Sequence, residues 1–167
     1  MIKFSIITVC LNAGNDLIDT VVSTLNQTYT NFEIIVKDGL STDGSVERLP
    51  VDPRIRLIRQ KDTGIYDAMN QGIDEATGDY FIFINAGDEL HNKHVLSEID
   101  EHIRKSDADI YYGHNYNLRF CASDIVPPRI DKRFCFRSMI CHQSTVYKAE
   151  LLKRRPYDPS YKISADR

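Results

Sequence analysis

The segment "DTGIYDAMNQGIDEATGDYFIFINAGD", Asp62 to Asp88, carries two periodicities in succession. Ile65, Ala68, Met69, Gly72, Ile73 and Ala76 recur at i, i+3, i+4, i+7, i+8 and i+11, the apolar face of one α-helix, and Gly78 is placed to cap its end. "DYFIFIN" (Asp79 to Asn85) then reads as a strand of nearly continuous apolar residues, the pattern of a strand covered on both faces and central in its sheet. That strand stops on an amide, two small residues and two acids, Asn85 to Glu89.

Working outward, the same alternation continues. "KFSIITVCL" (Lys3 to Leu11) is a buried strand, "NAGND" supplies turn residues and an N-cap, and Leu17, Ile18, Val21, Val22 and Leu25 form a helical face. "FEIIVKDG" (Phe32 to Gly39) is a second strand, followed by the loop "STDGS" and a short helix; "RIRLIRQ" (Arg54 to Gln60) is a third strand. A polar helix from about Lys93 to Lys105 leads to a fifth strand, "ADIYYG" (Ala108 to Gly113). Past Asn115 the pattern loosens, and "IVPPRI" marks an irregular excursion. Strands alternating with helices predict an α/β fold, a mostly parallel central sheet flanked by helices. Neither a repeat nor a boundary divides the chain, so residues 1–167 read as one domain.

Composition narrows the functional classes. Of 167 residues, 42% are hydrophobic and 27% charged, an ordinary globular mix, and the net charge of −3 provides no global field for nucleic acid. No apolar run approaches the roughly 20 residues that span a bilayer, and the N-terminus starts directly on a strand pattern without a signal-peptide layout. Cys10, Cys121, Cys135 and Cys141 lack metal-ligand spacing and are expected to be reduced. The basic cluster "LLKRRP" (Leu151 to Pro156) is either a solvated helix end or a contact for anionic headgroups or diphosphates.

In open α/β sheets ligands bind beyond the carboxyl ends of the strands. Those ends carry Thr8 to Asn12, Asp38-Gly39 and Asn85 to Asp88, which together point to one crevice. The first turn, "LNAGND", has neither G-x-G-x-x-G nor a P-loop, so a bound nucleotide would need its phosphate charge offset another way, such as a cation held by a strand-end carboxylate.

"SIITVCLNAG", "VKDGLSTDGS", "DTGIYDAMNQGIDEATGDYFIFINAGD" and "CHQSTVY", in that order, resemble family 2 glycosyltransferases of the GT-A fold, with its Rossmann-like nucleotide-binding core. Among these the nearest resemblance is to bacterial enzymes of surface-polysaccharide and lipopolysaccharide assembly. The resemblance implies inverting transfer of a sugar from a nucleotide-diphosphate donor, most commonly a UDP-sugar, to a glycan or lipid-linked acceptor, with Mn²⁺ or Mg²⁺. It implies a cytoplasmic protein that contacts the inner membrane surface peripherally. Residue by residue, it implies that Thr8, Cys10 and Asn12 line the nucleotide pocket, Asp38 bonds the base, and Asp67 and Asn70 face the donor. Asn85 to Asp88 occupies the place of the family's Asp-x-Asp motif, but with Asn85 for the first acid and Gly87 where a further acid often stands. Asp88 is then the candidate metal ligand, with Glu89 second; its alternative is a helix cap or turn. Asp166, in "YKISADR", matches the acid that takes the acceptor hydroxyl's proton, or else is only a terminal acid. His142 and Gln143 match a pair expected near the acceptor, with a backbone-satisfied structural histidine as the alternative. His91, His94, His102 and His114 are expected at the surface, and Tyr66 and Tyr116 in core or rim packing. Family members continue beyond the acid matched by Asp166, so the chain is expected to be C-terminally truncated. A nucleotide-sugar-binding module without turnover is the alternative reading; a nucleotidyltransferase would want a Gly/Arg-rich loop where "LNAGND" stands.

Overall fold

The computed structural model describes residues 1–106, 108–117, 121–127, 129–131, 133–134 and 140–161. The predicted first strand is β1 (Phe4–Cys10), followed by α1 (Asn15–Leu25), β2 (Phe32–Asp38) and β3 (Ile55–Arg59). The opening segment forms α2 (Ile65–Glu75) and β4 (Tyr80–Phe83); then come α3 (Val95–Lys105), β5 (Ile110–Tyr112), β6 (Asn115–Asn117) and β7 (Ala122–Asp124). A 3₁₀ turn (His142–Ser144) runs into β8 (Thr145–Lys148) and α4 (Ala149–Arg154).

Six strands form one sheet in the order β3-β2-β1-β4-β8-β5, and β6-β7 is a separate hairpin. The β1–β2, β1–β4 and β2–β3 pairs are parallel, whereas β8 is antiparallel to both β4 and β5. The mixed α/β sheet is thus mostly parallel, and β8, inserted between β4 and β5, breaks the pattern. Its four residues carry too short a signal to stand out in the loosened region of the sequence.

Alternate residues of the central strands face opposite layers, as a period-two element requires. Ile6, Ile34, Ile82 and Ile84 pack with Leu17 and Val21 of α1 and Leu96 of α3. Ile7, Ile35, Phe81 and Phe83 pack on the other side with Met69 and Ile73 of α2 and Leu152 of α4. Burying a residue such as Ile7 or Phe83, both at 0% exposure, is worth about 1.5–3 kcal/mol.

Glycine lets α2 and its exit lie close to β1. A Cβ at Gly72 would meet the Ile7 side chain at 2.6 Å, and one at Gly78 would meet the Ser5 backbone nitrogen at 2.7 Å. Gly78 is therefore not the helix cap expected from its position, because α2 ends three residues earlier with Ala76 as C-cap. Its backbone N–H instead donates to Ser5 Oγ at 2.8 Å.

Candidate functional site

The parallel strands deliver their carboxyl ends to one edge, where the loop Asn85–Asp88 is held from three directions. From β1, the carbonyls of Ile7 and Val9 accept from Ile84 N (3.1 Å) and Ala86 N (3.4 Å). From α1, buried Thr20 accepts from Gly87 N at 3.0 Å and donates to the Asn85 carbonyl at 3.3 Å. From the turn before β8, His142 Nε2 accepts from Asn85 Nδ2 at 2.9 Å, which requires the tautomer with its proton on Nδ1. Gln143 Nε2 donates to Asp88 Oδ2 at 3.1 Å. Gly87 has φ +99°, a region that disfavours side chains, and a Cβ there would lie 3.7 Å from Asp16 Oδ2. An acid at this position would face both backbone strain and a like charge, which accounts for the glycine in the motif.

Two side-chain oxygens of this loop keep unused accepting capacity. Asn85 Oδ1 is buried without a hydrogen-bond partner among the described residues, an unfavourable state worth about 1–3 kcal/mol. Asp88 is half-buried and, among the described residues, its carboxylate is anchored through one oxygen, to Gln143. Among the described residues no group of three or more His, Cys, Asp or Glu side chains could hold a metal ion. One carboxylate with solvent access suits a hard cation only when other oxygens complete its shell, as a diphosphate does for Mg²⁺. Glu89 is exposed beside it.

The other expected donor residues lie deeper or are already bonded. Thr8 is at 0% exposure with Oγ1 unpartnered, so it sits inside the sheet rather than on a pocket wall. Cys10 is buried with Sγ 3.9 Å from Asp38 Oδ1; burial first, and the Asp38 charge second, push its thiol up to about 12. Asp38 is fully buried and accepts from Ser41 N (3.0 and 3.1 Å) and from Arg59 Nε (3.1 Å), so it pins the loop after β2. Asn12 adopts φ +50°, which asparagine tolerates, and its Oδ1 accepts from Thr42 N at 2.9 Å, tying the loops after β1 and β2 together. Exposed Leu11 and Leu40 flank these loops.

On α2, Asp67 Oδ2 accepts from Thr63 N (2.8 Å) and Thr63 Oγ1 (2.9 Å); the backbone bond leads in holding its pKa below the ordinary carboxylate value. The Asn70 amide donates to the Tyr157 carbonyl (2.8 Å) and accepts from Tyr157 N (3.0 Å), clasping the chain after α4. Tyr66 is buried beside Tyr157 with ring centroids 5.4 Å apart, hence core, whereas Tyr116 is exposed. The four surface histidines are exposed as expected. Asp166 and Cys135 lie outside the described residues.

Sequence reasoning missed Lys37, Asp62 and Thr20. Lys37 is at 0% exposure in β2 and donates to Asp62 Oδ2 (2.8 Å), the Gln60 carbonyl (2.7 Å) and the Asp38 carbonyl (3.2 Å). Asp62 Oδ2 lies 2.9 Å from where a Cβ on Gly39 would be, so this ion pair sits directly against the loop after β2. The available signal was a lysine within the apolar run "FEIIVKDG", a phase that buries its ammonium and demands an acid nearby.

Residues 5–158 match the family described as glycosyl transferase family 2. The chain belongs to that family. It is 33% identical over 175 aligned positions to a "PGL/p-HBAD biosynthesis glycosyltransferase" of Mycobacterium tuberculosis, covering 98% of this chain and 66% of the relative, and so spans just under two thirds of that protein's length. It is also 40% identical over 93 residues to the uncharacterized glycosyltransferase YibD of Escherichia coli, covering 53% of this chain and 27% of that one. The fold is that of GT-A structures: Staphylococcus aureus TarS bound to UDP-GlcNAc superposes with TM-score 0.76 at 19% identity, over 98% of this chain and 51% of that one. The mannosyltransferase PcManGT of Pyrobaculum calidifontis, in complex with GDP-Man and Mn²⁺, superposes at 0.75 with 18% identity, over 98% and 49%.

Proposed function

We propose that this chain is the donor-binding and catalytic part of an inverting glycosyltransferase that takes a sugar from a nucleotide diphosphate, a UDP-sugar first, and passes it to a glycan or lipid-linked glycan. The carrying observation is the Asn85–Asp88 loop at the carboxyl edge of β4, fixed by backbone and side-chain bonds yet keeping, among the described residues, one buried unpartnered amide oxygen and a singly anchored carboxylate. Sugar transfer in the mycobacterial relatives and nucleotide-sugar complexes of TarS and PcManGT support the donor class.

Asn85 Oδ1 accepts from a donor hydroxyl, and Asp88 is the protein's carboxylate toward Mn²⁺ or Mg²⁺, with Glu89 behind it. When bound, the cation offsets diphosphate charge and eases departure of the leaving group. With few protein oxygens beside it, Asp88 would hold a cation weakly until the donor's diphosphate supplied further oxygens. Asp67 keeps the N-terminus of α2 organised next to Lys37 and Asp62, beside the nucleotide loops. Asp166 takes the proton of the acceptor hydroxyl as that oxygen attacks the anomeric carbon and the nucleoside diphosphate leaves with the bonding pair. We place the reaction in the cytoplasm, with exposed Arg154 and Arg155 available to anionic headgroups of the inner membrane face. Among the described residues no helix is long and apolar enough to cross a membrane.

Asn85 and Gly87, standing where acids are usual, favour a second reading as a nucleotide-sugar-binding module. Incubation with UDP-sugars and Mn²⁺ separates the two. UDP release that Asp166→Asn depresses while donor binding persists supports the transferase; binding without release supports the module. A thermal-shift screen showing no stabilisation by any nucleotide sugar sinks both.

A further inference from the structure

We propose that His142 and Gln143 are positioning residues of the donor end: they form a two-point latch that orients Asn85 and Asp88, and they act on transfer through those two side chains. The inference rests on the donor reading above. Its origin is topological. Because β8 runs antiparallel to β4, in the register Phe81↔Tyr147 and Ile82↔Val146, the start of β8 lies beside the carboxyl end of β4. A parallel neighbour would have brought its own carboxyl end there instead.

The latch is built to hold direction. Two consecutive residues of one 3₁₀ turn bond two residues of one loop, at 2.9 Å and 3.1 Å. Gln143 is gripped at both ends, since its Oε1 accepts from the Cys141 thiol while its Nε2 donates to Asp88, and this fixes which face of the amide meets the carboxylate. The turn itself is tied down: the Cys141 carbonyl accepts from Ser144 Oγ (3.1 Å) and Thr145 Oγ1 (2.8 Å), and Gly113 N donates to the Ser144 carbonyl (2.8 Å). With Oδ2 of Asp88 engaged by Gln143 and Nδ2 of Asn85 engaged by His142, the remaining oxygen of each is the one a donor complex would meet. A single carboxylate standing in for an acidic pair has more need of a set orientation than one of several ligands.

Isothermal titration of UDP with and without Mn²⁺ tests this on four proteins: wild type, Gln143→Ala, Asp88→Asn and the double variant. Gln143→Ala should weaken Mn²⁺-dependent binding by about fivefold, and in the Asp88→Asn background by less than about twofold, since a residue acting through another has nothing left to orient. Gln143→Glu keeps the shape of the glutamine but cannot donate to Asp88, and it carries the test, with the same expected losses, if the alanine variant melts. Equal weakening in both backgrounds, or unchanged UDP binding with a raised acceptor KM, overturns the latch. Wild-type protein that binds no UDP overturns the donor reading, and the latch with it.

Discussion

Gln143 donates its side-chain amide to the Asp88 carboxylate across 3.1 Å, although 55 positions separate the two in the chain. The bond joins the loop after β4 to the turn before β8, and it makes the carboxylate's orientation depend on a strand that runs against its neighbours. The orientation of this carboxylate is therefore a property of two segments.

Asp88→Asn should weaken Mn²⁺-dependent donor binding at least tenfold, about 1.4 kcal/mol, because an amide is a far poorer ligand for a hard cation. Metal-free binding of UDP should change little. A calorimetric titration in both conditions checks this, and unchanged affinity with Mn²⁺ would remove Asp88 from the cation site.

Lys37→Ala should cost about 3 kcal/mol of unfolding free energy. It strips a wholly buried ammonium from Asp62 and from two backbone carbonyls, leaving the acid uncompensated beside Gly39. Urea unfolding gives the number. A loss under about 1 kcal/mol would show that water replaces the ammonium easily.

Asn70→Ala should lower stability by about 1–3 kcal/mol by removing the two hydrogen bonds that clasp the Tyr157 backbone, while folded protein retains its UDP affinity. Paired thermal melts and titrations decide between a clasp and a direct donor contact. Lost affinity at unchanged stability would assign Asn70 to the donor after all.

Cys10 should resist alkylation in the native state at pH 8.5, while exposed Cys121 reacts within minutes; mass spectrometry of the modified peptides reads both. Its raised pKa also sets a direction for stability. An unfolded chain ionises this thiol near about 8.5, the folded one only at about 12. The stabilising contribution is therefore complete below the unfolded value and is lost as pH climbs through this interval, so Cys10→Ser should flatten the alkaline limb of the stability profile. Rapid native labelling of Cys10 would show that the β1–β2 edge opens.

Asp43 gives the opposite limb. Hydrogen bonds from Ser45 Oγ and Ser45 N, with Gly14 N, hold its carboxylate down to about 2. Its contribution is present above the unfolded value near about 4 and disappears as pH falls toward 2. Asp43→Asn should reduce the acid sensitivity of unfolding across that window, and an unaltered acid limb would mean these bonds exchange freely with water.

The parallel core was legible from the order of residues because local periodicity dictates which face of an element is apolar, whatever it later touches. Thus "DYFIFIN" announced a covered strand and Ile65 to Ala76 announced a helix. Tertiary structure decided what pattern cannot encode: that β8 enters antiparallel and seats His142 and Gln143 on Asn85 and Asp88, that Asn70 clasps Tyr157, and that Asp38 spends its oxygens on Ser41 and Arg59. The His142–Asn85, Gln143–Asp88, Tyr157–Asn70 and Arg59–Asp38 contacts are hydrogen bonds between segments distant in the chain. Such bonds depend on distance and angle between particular atoms, whereas hydrophobic burial depends on little more than area, and only area leaves a period in the sequence.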